Sequence, residues 1–218
     1  VSEIEKQVKA GFLDQLHLAA KTIGEEYQTL IENSGFDVVE SLRSRDRRFL
    51  EDDHLFCDFA LFIAMQYFRT AKMRNIIYKI YSDNISKYRR IWPNLDVRRT
   101  WPIESLILAT NLGFTLLERR SRYKLTFLVN ETAVPLITGD QPVINRNSGV
   151  DVELSLYYPI SPTLGVSYAP VDQSSVTDRI LRNKLVIEML NDQMFIKSDD
   201  QIYANNRLVL EKFRRRRK

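Results

Sequence analysis

The apolar residues of this chain change period near residue 122, from a helical repeat to one dominated by strands, and that change constrains the fold more than any other feature. Before it, apolar side chains recur at three- and four-residue steps, the repeat of a helix with one buried face. After it they alternate, the repeat of a strand with one buried face. Helices first and strands later predict an α+β domain, with a helical front part packed on a small, mainly antiparallel sheet, rather than alternating βαβ units. The chain reads as a single domain over 1–218, with a mainly helical part (1–121), a part with strands plus one helix (122–205), and a basic C-terminal tail (206–218). A chain of 218 residues buries roughly 70% of its unfolded surface on folding, enough for a core without disulfides or metal.

Within the helical part, Ile4, Val8, Phe12, Leu16, Ile23, Tyr27, Leu30 and Ile31 predict a long helix over residues 2–33, opened by Ser2 and Glu5 as a capping box and stopped by Asn33-Ser34-Gly35. A short helix is expected over 37–44. Asp52 and Asp53 then cap a helix running to about Thr70 that is apolar around most of its girth, from Leu55 and Phe56 to Met65 and Tyr67, and so is central. Another helix is expected over 71–91, stopped before Pro93, and a further one over 103–118, opened by Trp101-Pro102. Strands are expected over 123–129, 135–138, 152–158 and 165–169, a helix over 174–195, and a last short strand at 201–204.

Charge is uneven. Residues 1–60 hold 7 basic and 13 acidic residues, residues 61–124 hold 13 basic and 4 acidic, and residues 125–218 hold 12 and 11. The acidic first third and the basic middle either neutralise each other by packing, or the middle presents a positive face to a phosphate-bearing partner. The run Arg214 to Lys218 reads as a solvated tail that adds sequence-independent affinity for polyanions.

Several chemistries lack their residues. The longest apolar run, Phe59 to Met65, is far short of a membrane span, so no membrane partner is expected. Cys57 is the only cysteine and lies in an apolar run, which fits inert core and a reducing, cytoplasmic setting. The two histidines, His17 and His54, have no partner at metal-ligand spacing, and neither a Walker-type loop nor a nucleophile elbow is present. The N-terminus lacks the basic and apolar regions of a signal peptide and a starting Met, so further residues are expected upstream.

Two constellations remain. Gln66, Arg69 and Thr70 share one stripe of the most apolar helix, where an unpaired guanidinium would be costly. In Leu136 to Val143 a strand runs into a tight turn that carries Asp140, with Gln141 beside it and Pro142 fixing the exit. A carboxylate there could hold Mg²⁺, act as a base, pair with Arg69 within hydrogen-bond reach, or turn back on its own backbone.

Together the segments Gln66-Tyr67-Phe68-Arg69-Thr70, Thr138-Gly139-Asp140-Gln141-Pro142-Val143, Tyr158-Pro159-Ile160-Ser161-Pro162, Asn191 and Ile202-Tyr203-Ala204 resemble, in the same order, the pattern of the bacterial domain-of-unknown-function family 4238. Gly139 and Gln141 stand where that family has Ser and Asn, and residues 1–30 do not match its N-terminal His-containing stretch. The resemblance implies a soluble bacterial cytoplasmic protein and no particular reaction.

Two functional readings follow. One is a metal-dependent, nuclease-like enzyme of a defence or toxin system, with Asp140, Arg69 and Gln66 catalytic, Asp140 holding Mg²⁺, and Thr70, Arg74, Gln141 and Asn191 binding an RNA or DNA substrate. The other is a non-catalytic nucleic-acid- or protein-binding module in which Arg69 and Asp140 form a structural clamp. A homo-oligomer built on the long first helix is a third expectation.

Overall fold

A computed structural model describes residues 29, 33, 35–91, 97–147, 153–171 and 178–216. Helix α1 is described over residues 35–44 and is followed by a 3-10 turn, Arg48–Leu50. Then come α2 (Asp53–Phe68), α3 (Ala71–Asp83), α4 (Ile85–Ile91), α5 (Val97–Glu118) and a second 3-10 turn, Arg120–Arg122. The remainder is β1 (Tyr123–Asn130), β2 (Thr138–Gly139), β3 (Ile144–Asn145), β4 (Leu156–Ser161), β5 (Leu164–Pro170), β6 (Asp178–Leu181), α6 (Lys184–Lys197), β7 (Ile202–Tyr203) and α7 (Arg207–Arg214). The fold is α+β. Strands order as β3-β4-β5-β1-β6, antiparallel except for the β1–β6 edge, and β2 pairs with β7 in a separate two-stranded ribbon. Among the described residues no helix is long and apolar enough to cross a membrane.

The sheet is covered on both faces. Tyr123, Leu125 and Phe127 of β1 and Val166 and Tyr168 of β5 face a core built with Val38 and Leu42 of α1, Phe56, Phe59 and Ile63 of α2, and Leu116 of α5. The opposite pleat positions, Leu128 of β1 and Tyr157 of β4, meet Ile187, Leu190 and Met194 of α6 and Phe213 of α7. β1 is buried at six of its eight positions, as a strand covered on both faces should be. Helix α2 is the central helix its composition predicts. The Asp52 carboxylate accepts from His54 N and Leu55 N at 2.8 and 3.0 Å, capping its start. Phe59 is fully buried among the rings of Phe49, Phe56 and Tyr168, so Phe59→Ala costs about 3–5 kcal/mol.

The structure departs from the sequence reading in several places. Asn33 and Gly35 are helical, not a stop. A Cβ at Gly35 would lie 2.7 Å from the Phe62 ring, so this glycine admits the close approach of α1 to α2. The expected 71–91 helix breaks at Asn84 into α3 and α4. Helix α5 begins at Val97, which places Pro102 inside it. Proline has no N–H for the Arg98 carbonyl four residues back, and the Tyr78 hydroxyl donates to that carbonyl at 3.4 Å.

Residues 135–137 do not form a strand. Side-chain and loop groups serve their backbone instead, as described below. The paired part of β4 starts at Leu156 and runs to Ser161, later than expected. Residues 178–181, expected in a helix, form β6, because they pair in parallel with Phe127–Asn130, and the Asn183 side chain then caps α6 by accepting from Leu185 N. Tertiary pairing overrides the apolar spacing there. The basic tail is ordered as α7 over Arg207–Arg214, since Phe213 is 2% exposed and completes the second core. Cys57 is half-buried rather than buried, and burial, with Asp58 nearby, pushes its thiol pKa up. Most of the long helix expected over 2–33, the Trp92-Pro93 stop and the start of the 174–195 helix lie outside the described residues.

Candidate functional site

The two constellations meet at one joint. Thr70 follows α2 and caps α3, its hydroxyl oxygen accepting from Met73 N at 3.3 Å. The same hydroxyl donates to Gln141 Oε1. Gln141 is 2% exposed, and its Nε2 donates to the Tyr67 carbonyl at 2.9 Å and the Val143 carbonyl at 2.8 Å. One buried amide thus joins the last turn of α2 to the loop between β2 and β3, with its oxygen and both N–H groups in use. The bond between Thr70 and Gln141 sets the two motifs side by side, Arg69 and Asp140 being the residues that immediately precede them. Arg69 is the exposed C-cap of α2, and its backbone N donates to the Met65 carbonyl. Gln66 is half-buried, one helical turn earlier.

Asp140 closes the joint from the other side. Its Oδ1 accepts from Asp199 N at 2.8 Å, and its Oδ2 from Asp200 N at 2.7 Å and Gln201 N at 3.0 Å. Its own N–H donates to the Gln201 carbonyl at 3.1 Å. The carboxylate is therefore the acceptor for three successive main-chain N–H groups of the α6–β7 loop, an anion nest made within the chain. Gly139 stands beside it because nothing larger fits. A Cβ there would lie 1.9 Å from Ser198 Oγ and 3.0 Å from the Gln201 carbonyl.

Asn191 serves the preceding segment. It is 2% exposed; its Oδ1 accepts from Ile137 N at 3.0 Å and its Nδ2 donates to the Pro135 carbonyl at 2.8 Å. Leu136 N donates to the Pro162 carbonyl at 2.9 Å. An amide side chain and a loop carbonyl thus do for 135–137 what a neighbouring strand would do. Arg74 is exposed on α3 and is not part of this joint's hydrogen-bond network.

Lys72 belongs to the joint, and sequence reasoning missed it. Its Nζ donates to the carbonyls of Ile196, Lys197 and Ser198 at 3.3, 2.6 and 3.4 Å, the free carbonyl end of α6. Burial lowers its pKa, helped by Lys197 and opposed by Asp199 and Asp140. No local signal marks this role, because the partners lie more than a hundred residues away in sequence.

The donor set at Asp140 does not fit a Mg²⁺ ion. Its oxygens are committed to three N–H groups, and the described residues contain no group of three or more His, Cys, Asp or Glu able to hold a metal. As placed, Thr70, Gln141, Asn191 and Asp140 bind backbone groups of neighbouring segments, and the arrangement does mechanical work. No family model, curated protein or solved structure matches this chain.

Proposed function

We propose that this chain is a non-catalytic nucleic-acid-binding module whose contact surface is the α3–α4 segment, with Asp140 acting as a structural clamp. One observation carries the reading. Arg74, Lys79, Lys87 and Arg90 are exposed along α3 and α4, and none of them pairs with an acid among the described residues. Elsewhere among the described residues several exposed cations are matched, Arg182 with Glu131, Arg207 with Glu211, Lys212 with Glu188 and Arg216 with Asp192, while others, such as Arg119, Arg122 and Lys184, are not. From Arg69 to Arg99 the chain carries nine basic and two acidic residues. Uncompensated charge concentrated in one segment is the footprint of a polyanion partner. Tyr81 and Tyr88, in edge contact at 4.7 Å between the two helices and only half-buried, add aromatic surface on which bases stack. The nuclease-like reading draws less support, because the one candidate carboxylate is occupied by main-chain donors.

The test is fluorescence anisotropy with a labelled single-stranded oligonucleotide over a salt series. Each phosphate neutralised on a single strand contributes a slope of about −0.7 in log K against log salt. Replacing Arg74, Lys79, Lys87 and Arg90 together with Gln is expected to flatten the slope by up to about 3 while the melting temperature stays unchanged. An unchanged slope in that variant, or no binding by the wild type at low salt, refutes the reading.

A further inference from the structure

A second cationic feature lies at the other end of α5. A cleft of about 350 Å³ opens between the Arg48–Leu50 turn, the first turns of α2, the Arg120–Arg122 turn and strands β1 and β5. Arg47, Arg120 and Lys124 line it, no acid does, and its apolar wall is Leu50, Phe56 and Leu125 with the rings of Tyr123 and Tyr168. The two tyrosine rings stack at 5.2 Å with an interplanar angle of 18°. The Tyr168 hydroxyl is buried, Tyr168 being 3% exposed, and it has no hydrogen-bond partner. A buried hydroxyl without a partner costs about 1–3 kcal/mol, so an orphan on a residue that lines a cleft marks a place where a ligand atom would satisfy it. Burial also holds this phenol protonated far above neutral pH, which keeps it a donor.

The arginines are held in place yet accessible. Arg47 lies over the Phe127 ring at 4.7 Å and pairs with Asp178. Arg120 lies over Phe56 at 5.7 Å. Its Nη1 sits 2.6 Å from Asp53 Oδ1 without an aligned hydrogen bond, and Asp53 is 78% exposed, so an incoming anion can replace that carboxylate. Two arginines and a tyrosine lining one cleft carry guanidinium and phenolic donors that match the oxygens of a phosphate dianion. The aromatic and aliphatic wall matches a flat group carried beside it.

We propose that this cleft binds a phosphate monoester carried on a nucleoside, with Arg120 and the Tyr168 hydroxyl donating to the phosphate oxygens. The site stands apart from the α3–α4 surface. Tyr78 meets Trp101 near the start of α5, whereas Arg120 follows its end, and a 22-residue helix is about 33 Å long at 1.5 Å per residue.

Calorimetric titration of the full chain at low salt, with adenosine 5′-monophosphate, adenosine and inorganic phosphate as probes, tests this. The nucleotide is expected to bind at least tenfold more tightly than either other probe. Tyr168→Phe is expected to weaken it about tenfold at an unchanged melting temperature, since the variant deletes only an unpartnered hydroxyl. Arg120→Gln is expected to abolish it, and the four-residue α3–α4 variant to leave it intact. Competition by a 5′-phosphorylated oligonucleotide, and none by its 5′-hydroxyl counterpart, would assign the monoester to a nucleic-acid end. No competition by either would assign it to a free nucleotide. Equal binding of nucleotide and adenosine, equal binding of nucleotide and inorganic phosphate, or wild-type affinity in both cleft variants overturns the proposal. Loss of oligonucleotide binding in the α3–α4 variant with nucleotide binding retained separates the two sites.

Discussion

Replacing Asp140 with alanine separates a mechanical carboxylate from a chemical one. The wild-type side chain accepts from the main-chain N–H groups of Asp199, Asp200 and Gln201, all within 3.0 Å. A hydrogen bond to a charged acceptor contributes about 1.5–3 kcal/mol, so three buried ones would approach three times that. The loop is exposed, however, and water takes over part of each lost bond. The expected cost is therefore about 2–4 kcal/mol. For a chain of this length each kcal/mol moves the melting temperature by about 2–4 °C, giving a fall of about 4–16 °C. Asp140→Asn keeps one acceptor oxygen and is expected to lose about half as much. Thermal unfolding followed by circular dichroism reads the shift, and hydrogen exchange reads the cause: the amides of residues 199–201 should exchange faster while those of β1 do not. An Asp140→Ala chain that melts within about 1 °C of the wild type would refute the clamp and return the carboxylate to the role of metal ligand or base.

Gly139→Ala is expected to destabilise by about 1–3 kcal/mol, because its Cβ would overlap Ser198 Oγ, and adding Ser198→Gly should restore most of the loss in urea unfolding. Burial raises the pKa values of Tyr157 and Tyr168 well above the ordinary 10.0. The unfolded chain therefore releases phenolic protons that the folded chain keeps, and stability present below pH 10 falls as pH rises past it, by about 1.4 kcal/mol per pH unit for each tyrosine. Tyr157→Phe, which deletes a hydroxyl without a partner, is expected to remove that tyrosine's share of the difference between urea unfolding at pH 9 and at pH 11, without lowering stability at pH 7.

What the sequence made legible was local. The change of period near residue 122 places the boundary between α5 and β1, and the uniform apolar girth of 55–67 marks α2 as central, because both depend on spacing within one element. Asp52 as a cap was readable for the same reason. Gly35 was misread because a glycine that lets helices approach and a glycine that ends a helix look alike until Phe62 is in place. β6 was misread because its strand state comes from β1, about fifty residues earlier. Gln66, Arg69 and Asp140 were singled out as polar groups in apolar surroundings. The structure puts the same kind of burial to use in Gln141 and Asn191, whose bonds run to backbone rather than to an open site. The cleft at Tyr168 was invisible, since Arg47, Arg120 and Tyr168 come from three distant segments and share no spacing.

The joint at Asp140 and Gln141 also bears on how the chain folds in time. Its bonds link residues 67–70 to Gln141 and Asp140 to residues 199–201, separations of 59 to 74 residues, so each closes a long loop that only the two packed cores can prepare. Such contacts are expected to form after the rate-limiting step, their strength then entering the barrier to unfolding alone. Substitutions at Asp140 and Gln141 are accordingly expected to speed unfolding and leave the folding rate nearly untouched, so that in stopped-flow chevrons the joint behaves as a latch that sets how long the native state lasts once it has formed.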